Sequence, residues 1–321
     1  LKNKVSLQIN LAPGDYPHAR YILKHQLTIL STQVDEIILT VDTRPSKGRF
    51  AEGWEENKEL LNRFLSSEIE NSYNVKIVPV DYSPATKQKV ADYFFGKNDM
   101  PEKDFRGGPF YAYFFGIYSA ANNLVFHLDS DMFLGGGSEE WIAEAVHFFE
   151  TDTVCFVTAP LPGPPNSMDT LTGQQVINKI APYTWQLAGM STRIFMIDKS
   201  RLKTGKLILT KPPLRGQLKA IIEGNANADL PEHLISAYMD SHRLKRIDFL
   251  GSGKGLWSLH PPYRTKAFYD GLPQLIKKIA DNNLPEKQQG FYDIIDEVCD
   301  WSAAREKISN NRWWKRLGNR V

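Results

Sequence analysis

Leu124-Val125-Phe126-His127-Leu128-Asp129-Ser130-Asp131 is a short, nearly unbroken apolar run that ends on two carboxylates separated by one residue. A run of this length with β-branched and aromatic members reads as a strand covered on both faces, with Asp129-Ser130-Asp131 delivered to its carboxyl end. Two carboxylates so placed repel each other unless something positive neutralises them. Oxygen ligands of this kind suit Mg²⁺ or Mn²⁺, and Mg²⁺ sites combine one or two carboxylates with substrate phosphates. Turn chemistry also produces Asp-x-Asp strings, but here a strand precedes the triplet and Gly135-Gly136-Gly137 follows it.

Working outward, the chain before the triplet alternates strands and helices. Val5, Leu7, Ile9 and Leu11 alternate with polar residues as a first strand that stops at Pro13-Gly14-Asp15, and a helix is expected over 17–30. The run 37–41 is a second buried strand ending at Asp42, and 75–80 a third ending at Asp81. Phe110, Tyr113, Phe114, Ile117, Tyr118 and Ala121 recur at helical spacing behind Pro109, the clearest helix in the chain. This alternation predicts an α/β fold, a three-layer sandwich with a mainly parallel central sheet. Open sheets of that kind bind ligands outside the carboxyl ends of their strands, so Asp42, Asp81, Asp129 and Asp131 should share one rim. For Asp81 a plain turn role is the competing reading.

Beyond the triplet the pattern predicts a helix over 139–149, a strand over 154–158, an exposed loop over 160–173, a strand over 193–197 and a helix over 231–242. Residues 251–264, with Gly251, Gly253 and Gly255, read as a mobile loop, and the remainder as mostly amphipathic helix. The expected organisation is a catalytic domain over 1–265, split into halves at 135/136, and a helical extension over 266–321.

Composition narrows the partners. The chain has 321 residues, 42% hydrophobic and 24% charged, with 39 basic against 37 acidic residues and a formal net charge of +2. Nothing in that balance resembles the dense basic surface that binds nucleic-acid phosphates, so no nucleic-acid partner is expected. Cys155 and Cys299 have no His or second Cys at zinc-ligand spacing, which excludes a zinc site and fits a reducing, cytoplasmic setting. No apolar run is long enough to span a membrane. In the tail, Trp313 and Trp314 sit among Lys307, Arg312, Lys315 and Arg316, a mixture that suits weak peripheral contact with a lipid surface, or docking of the indoles on the rest of the protein.

Phe105-Arg106-Gly107-Gly108-Pro109, the aromatic helix, and Leu128-Asp129-Ser130-Asp131-Met132-Phe133 together resemble the donor-binding half of A-type glycosyltransferases, those of the nucleotide-diphospho-sugar fold, with family 2 the nearest pattern. The resemblance covers residues 5–265 and is most specific at the triplet and its approach. It implies transfer of a sugar from a nucleotide-sugar donor to an acceptor that the sequence does not identify, with Mn²⁺ or Mg²⁺ as cofactor. It implies that Leu11, Asp15 and Asp42 contact the nucleotide, Asp42 at base or ribose. Asp81 and Ser130 would lie on the same donor side. Asp131 would ligate the metal, and Asp129 would reach the ribose or the metal and its water shell. Arg106 would position the donor, a surface ion pair being the other reading.

Two sites in the second half extend this. Trp257-Ser258-Leu259-His260-Pro261-Pro262-Tyr263-Arg264 resembles the late segment in which such enzymes supply a His to the metal and a cation to the diphosphate, here His260 and Arg264; a structural histidine is the plainer reading. Asp229-Leu230-Pro231-Glu232-His233 opens a helix where inverting family-2 enzymes carry a Glu-Asp pair whose Asp is the general base. This chain has His233 at the second position. Glu232 or Asp229 would then take the role, or the enzyme would retain anomeric configuration; helix-start electrostatics is the alternative for both.

Three other readings compete. A sugar-phosphate nucleotidyltransferase would carry a Gly-rich, Arg-containing loop after the first strand, and Leu11-Ala12-Pro13-Gly14-Asp15 is a poor version of it. A haloacid-dehalogenase-type phosphatase places its Asp-x-Asp after the first core strand, not the fourth. A non-catalytic carbohydrate- or nucleotide-binding protein on the same fold is kept open by His233.

Overall fold

A computed structural model describes residues 3–45 and 53–310. The strands are β1 (Val5–Leu11), β2 (Glu36–Val41), β3 (Lys76–Pro79), β4 (Leu124–Asp129), β5 (Phe133–Gly135) and β6 (Cys155–Pro162), followed by β7 (Val176–Ala181), β8 (Thr184–Leu187), β9 (Ile194–Asp198), β10 (Lys245–Phe249) and β11 (Trp257–Leu259). They form a sheet in the order β3-β2-β1-β4-β9-β6-β10-β8-β7, with β11 bridging β6 and β5 to one side. The block β3-β2-β1-β4 is parallel throughout. All strands of the main path point the same way except β9 and β8, which pair antiparallel with their neighbours. The expected three-layer α/β sandwich with a mainly parallel sheet is the architecture observed.

Helices cover both faces. On one side α1 (Tyr16–Leu30), α2 (Trp54–Phe64) and α5 (Trp141–Thr151) pack on Leu7, Ile9, Leu39, Phe126 and Leu128. On the other, α3 (Pro84–Phe95), α4 (Tyr111–Ser119), α6 (Lys199–Gly205) and α8 (Pro231–Ser241) pack on Ile38, Val125, Phe156 and Phe195. A third apolar cluster joins Phe133, Leu161 and Trp257 to α9 (Lys266–Ala280) and to Trp301, just ahead of α10 (Ser302–Asn310). The remaining helix, α7 (Leu214–Glu223), lies at the surface.

The alternation in β1 has an unexpected use. Its apolar residues face α1, while Gln8 and Asn10 face α4 and are buried or nearly so. Their polar groups are satisfied internally: Gln8 Nε2 donates to Asn10 Oδ1 and to Thr40 Oγ1, both at 2.8 Å. Helix α4 can lie this close only because residue 116 is glycine; a Cβ there would stand 2.6 Å from Gln8 Nε2.

Several expectations are corrected. The stretch 160–173 is not all exposed loop, because β6 runs on through Pro162 with Pro160 and Leu161 buried. Residues 251–264 are not a loose loop either: β11 pairs with β5, and Leu256, Trp257 and Leu259 are buried. The hairpin β7–β8 and strand β10 carried no recognised signal, since β7 is exposed along its length and β10 alternates Arg246 and Asp248 with apolar residues. Those two charges are buried and paired, Arg246 Nη2 to Asp248 Oδ2 at 2.6 Å. The tail from 311 onward, including Trp313 and Trp314, lies outside the described residues. No helix among the described residues is long and apolar enough to cross a membrane.

The β5–β11 ladder is built around a glycine. Gly135 pairs with Trp257, and a Cβ at 135 would fall 2.0 Å from the indole ring. Gly135→Ala should therefore cost about 1–3 kcal/mol in urea unfolding, the usual penalty of overpacking a close-packed interior; an unchanged midpoint and slope would show that the ladder yields.

Candidate functional site

In the order β3-β2-β1-β4 the chain winds outward from β1 through α1 to β2 and β3, then crosses back to β4 on the other side of β1. The carboxyl ends of β1 and β4 flank that reversal, where open α/β sheets leave a crevice. The register sets Asn10 beside Asp129. Gln26 of α1 reaches over from its own layer and donates to the carbonyls of Asp129 (2.9 Å) and Met132 (2.8 Å), fixing the turn that carries the triplet.

Asp131 is the buried member of the triplet, with 3% of its surface exposed. Its Oδ2 accepts from Arg264 Nη2 at 2.5 Å, whereas Oδ1 is buried without a hydrogen-bond partner. Burial by itself raises the pKa of this carboxyl, but the Arg264 guanidinium, then His260 and His18, outweigh it and hold the group well below the usual carboxylate range. Arg264 also lies 3.8 Å from Asp15 Oδ1. The neutralisation that the sequence assigns to a metal is thus supplied in part by a guanidinium.

Asp15 ends the short 3-10 turn after β1, where its Oδ2 accepts from Ala12 N at 2.9 Å. Burial pushes its carboxyl up to about 6, only partly opposed by Arg264. His18, one turn into α1, is fully buried with Nε2 3.1 Å from Ser130 Oγ and 3.7 Å from Asp15 Oδ1. Burial, followed by the positive charge of Arg264, pushes it down to about 3, so the ring is neutral at physiological pH.

Asp129 is more open. His127 Nε2 stands 3.5 Å from its Oδ1, while His127 Nδ1 lies 2.5 Å from Gln8 Oε1. Because Gln8 uses its amide nitrogen on Asn10 and Thr40, its oxygen must accept, which puts the histidine proton on Nδ1 and leaves Nε2 facing the carboxylate. The Tyr113 hydroxyl is buried with no hydrogen-bond partner; burial raises it well above its ordinary value, and the charges of Asp129 and Glu232 add to this. Arg193 feels Tyr292, Asp129, Asp131 and Glu232 together, which more than offset its desolvation. It is placed there by its own carbonyl, which accepts from Asp129 N at 2.7 Å.

His260 is buried and its Nδ1 is 2.8 Å from Asp293 Oδ1, an arrangement that orients the ring and leaves Nε2 free of that bond. Among the described residues no three His, Cys, Asp or Glu side chains come together as a closed metal site. Asp129, Asp131 and His260, the three ligands expected from sequence, are thus not gathered as such a group, and Asp131 Oδ1 is buried without a hydrogen-bond partner.

Other expected residues are committed elsewhere. Leu11 points into the core and its carbonyl accepts from Asp42 N, so its side chain is not available to a ligand. Asp42 is buried and holds Tyr82 Oη (2.6 Å) and Lys103 Nζ (3.0 Å). Asp81 is at the surface, accepting from Ser83 N (2.8 Å) and Thr86 Oγ1 (2.5 Å) at the start of α3, the turn role. Arg106 is exposed, its guanidinium 5.1 Å from the Phe105 ring centre. Asp229 is buried, accepts from Leu230 N (2.9 Å) and pairs with His233 Nδ1 (2.8 Å). Glu232 accepts from Thr192 Oγ1 at 2.8 Å and belongs electrostatically to the Arg193 and Tyr113 group. His18, Tyr113, His127, Arg193, Tyr292 and Asp293 were not singled out from sequence. Only His18 had a usable signal, a polar ring one turn past Pro13-Gly14-Asp15 on the face of α1 that should be apolar.

No protein-family model matches the chain, and no curated protein matches it. Solved structures with a partly similar course exist. TarS of S. aureus, residues 1–349 in complex with UDP-GlcNAc, is 13% identical with a TM-score of 0.38, over 88% of this chain and 68% of that one. A UDP-glucose pyrophosphorylase complexed with UDP-glucose is 9% identical with a TM-score of 0.42, over 86% and 99%. A mycobacterial protein is 12% identical with a TM-score of 0.41, over 86% and 73%. Against the longer TarS structure this chain covers 41% of the length. At such values the likeness says nothing of individual residues.

Asp15 generates a pH signature. Its folded value of about 6 lies above its ordinary 3.8, so the stability it carries is present below the lower value and lost as pH rises through the higher. Asp15→Asn should gain stability relative to wild type between about pH 4 and about pH 7. Chemical unfolding at both ends checks this; a pH-independent difference would mean that Asp15 ionises freely.

Proposed function

We propose that the chain is a glycosyltransferase that takes its sugar from a nucleotide-diphospho-sugar donor, with Mg²⁺ or Mn²⁺ as cofactor and an acceptor still to be identified. The observation that carries this reading is Asp131: a buried carboxylate at the reversal of the strand order, one oxygen without a partner, facing Arg264, His260 and His18. That grouping suits an anionic ligand bridged to the protein by a cation. Asp131, Asp129 and His260 would hold the metal, which when bound supplies positive charge to the departing diphosphate.

The chain's own groups do the rest. Arg264, bonded to Asp131, would offer its remaining donors to phosphate oxygens through its planar fork, and Arg193 adds a second positive charge beside Asp129. Asp15, which accepts Ala12 N, keeps the backbone after β1 close to the crevice. The cleft of about 560 Å³ lined by Arg44, Tyr82, Lys87 and Glu102 opens beside Asp42 and is large enough for the nucleoside end. Glu232, at the first turn of α8 and near Tyr113, is better placed than Asp229 to take the acceptor proton, because Asp229 already holds Leu230 N and His233. The turn after β1 lacks the glycine-rich, arginine-containing loop of a nucleotidyltransferase.

Titration with a panel of nucleotide sugars should show binding that requires Mn²⁺, followed by slow donor hydrolysis. Asp131→Ala should lower transfer by at least about a hundredfold at saturating Mn²⁺ while unfolding stays cooperative. Transfer within about tenfold of wild type would sink the assignment of Asp131, and metal-independent binding without turnover would favour a binding protein.

Separately, Glu232→Gln should depress kcat by about a hundredfold or more with donor affinity unchanged, while Asp229→Asn should act mainly on stability. If Glu232→Gln turns over normally, no base is drawn from this helix and a retaining course is favoured.

A further inference from the structure

Helix α7 presents an apolar face to solvent. Leu214, Leu218, Ile221 and Ile222 are between 61% and 83% exposed, and Ile208, in the segment leading to the helix, is 77% exposed. Their spacing is that of a single helical stripe, and at about 100° per residue it lies directly opposite Gly216 and Ala220, the two buried positions. The inward side is satisfied. Ala220 clusters with Phe105 and Leu230, and a Cβ on Gly216 would be 3.1 Å from Phe105 Cε2. The helix is well formed, closed by Gly224 in the left-handed region with its N–H shared between Ala220 and Ile221 carbonyls. The stripe is therefore not a misplaced core surface. An outward row of large aliphatic side chains this continuous marks an interaction surface.

Charge says what covers it. Residues 199–223 contain seven Lys and Arg against one acid, Glu223, which lies 3.9 Å from Lys219, in a chain whose net charge is only +2. Lys203, Lys211, Arg215 and Lys219 are exposed, and Arg215 and Lys219 flank the stripe along one edge. A second copy of the chain docked through this face would bring like charges together. An anionic bilayer would bury the aliphatic row among acyl chains and set the flanking cations among its headgroups, the arrangement of an interfacial helix.

We propose that α7 is a membrane-docking helix that seats the protein on an anionic lipid surface. Phe105, on which α7 rests, is hydrogen-bonded through its N–H to Ala228 O and through its carbonyl to Asn225 Nδ2, so the helix is tied to the loop 104–108 and to the approach of α8. Asp104 in that loop, its carboxyl raised by burial, also feels the charge of Glu232. The bilayer would thus lie beside the Glu232 side of the crevice. The inference does not rest on the proposed donor chemistry and is tested without donor.

The test is co-sedimentation of the full chain with vesicles of phosphatidylcholine with or without phosphatidylserine. Binding is expected only with phosphatidylserine, and weaker at high salt. Leu218→Glu with Ile222→Glu, both at exposed positions, should cut the bound fraction about tenfold while circular dichroism stays unchanged. Arg215→Glu with Lys219→Glu should cut it mainly at low salt. If the Leu218/Ile222 variant sediments like wild type, the proposal is overturned, because any binding then belongs to another segment such as the tail. It is also overturned if wild type ignores phosphatidylserine vesicles, whether it stays monomeric in sedimentation velocity or forms a dimer that the same substitutions dissolve.

Discussion

The site depends on keeping a carboxylate buried at the end of β4. Asp131 has almost no contact with solvent, and an isolated charge in that position would cost several kcal/mol and be neutralised by protonation instead. Arg264 prevents this, and the means by which it arrives explain much of the second half of the molecule. Gly135 admits Trp257 against β5, the β5–β11 ladder turns the chain back over the triplet, and His260 and Arg264 follow directly from the end of β11. Asp293, from the segment after α9, then fixes His260.

The same economy of charge is visible under α4. The polar residues of β1 are internal, and each donor or acceptor of Gln8 has a partner, which in turn sets the proton position on His127. A network fully bonded on one side leaves the free groups on the other: His127 Nε2, the Tyr113 hydroxyl and Asp131 Oδ1 are all buried without hydrogen-bond partners, and all belong to the surroundings of Asp129 and Asp131. Buried polar groups are nearly always paired, so these three stand out in one neighbourhood, although other unpartnered atoms, such as Thr158 Oγ1 and Trp185 Nε1, lie elsewhere.

Legibility varied with the kind of signal. The parallel strands were legible because strands buried on both faces must be nearly continuous in apolar residues, and the carboxylates at their ends stood out against that background. Strand β10 was not, because Arg246 and Asp248 cancel each other inside the sheet, a pairing invisible until both are placed. The glycines of 251–264 suggested looseness, yet Gly255 has a positive φ and no room for a Cβ beside Leu250, so it serves a tight turn into β11. Asp81 was expected on the donor side and Asp229 as a base, with a turn role and helix-start electrostatics as the competing readings, and sequence offered no way to separate them.

By itself the sequence determined the α/β sandwich and the position of Asp129-Ser130-Asp131 at a strand end, since periodicity and local turn chemistry are enough to specify each. Only the tertiary structure decided what surrounds the triplet. Arg193 reaches it because β9 runs antiparallel to β4, so the start of one strand meets the end of the other, and His18 reaches it because α1 crosses back over the crevice. Such encounters join residues far apart in the chain through strand direction and layer packing, and no local pattern records them.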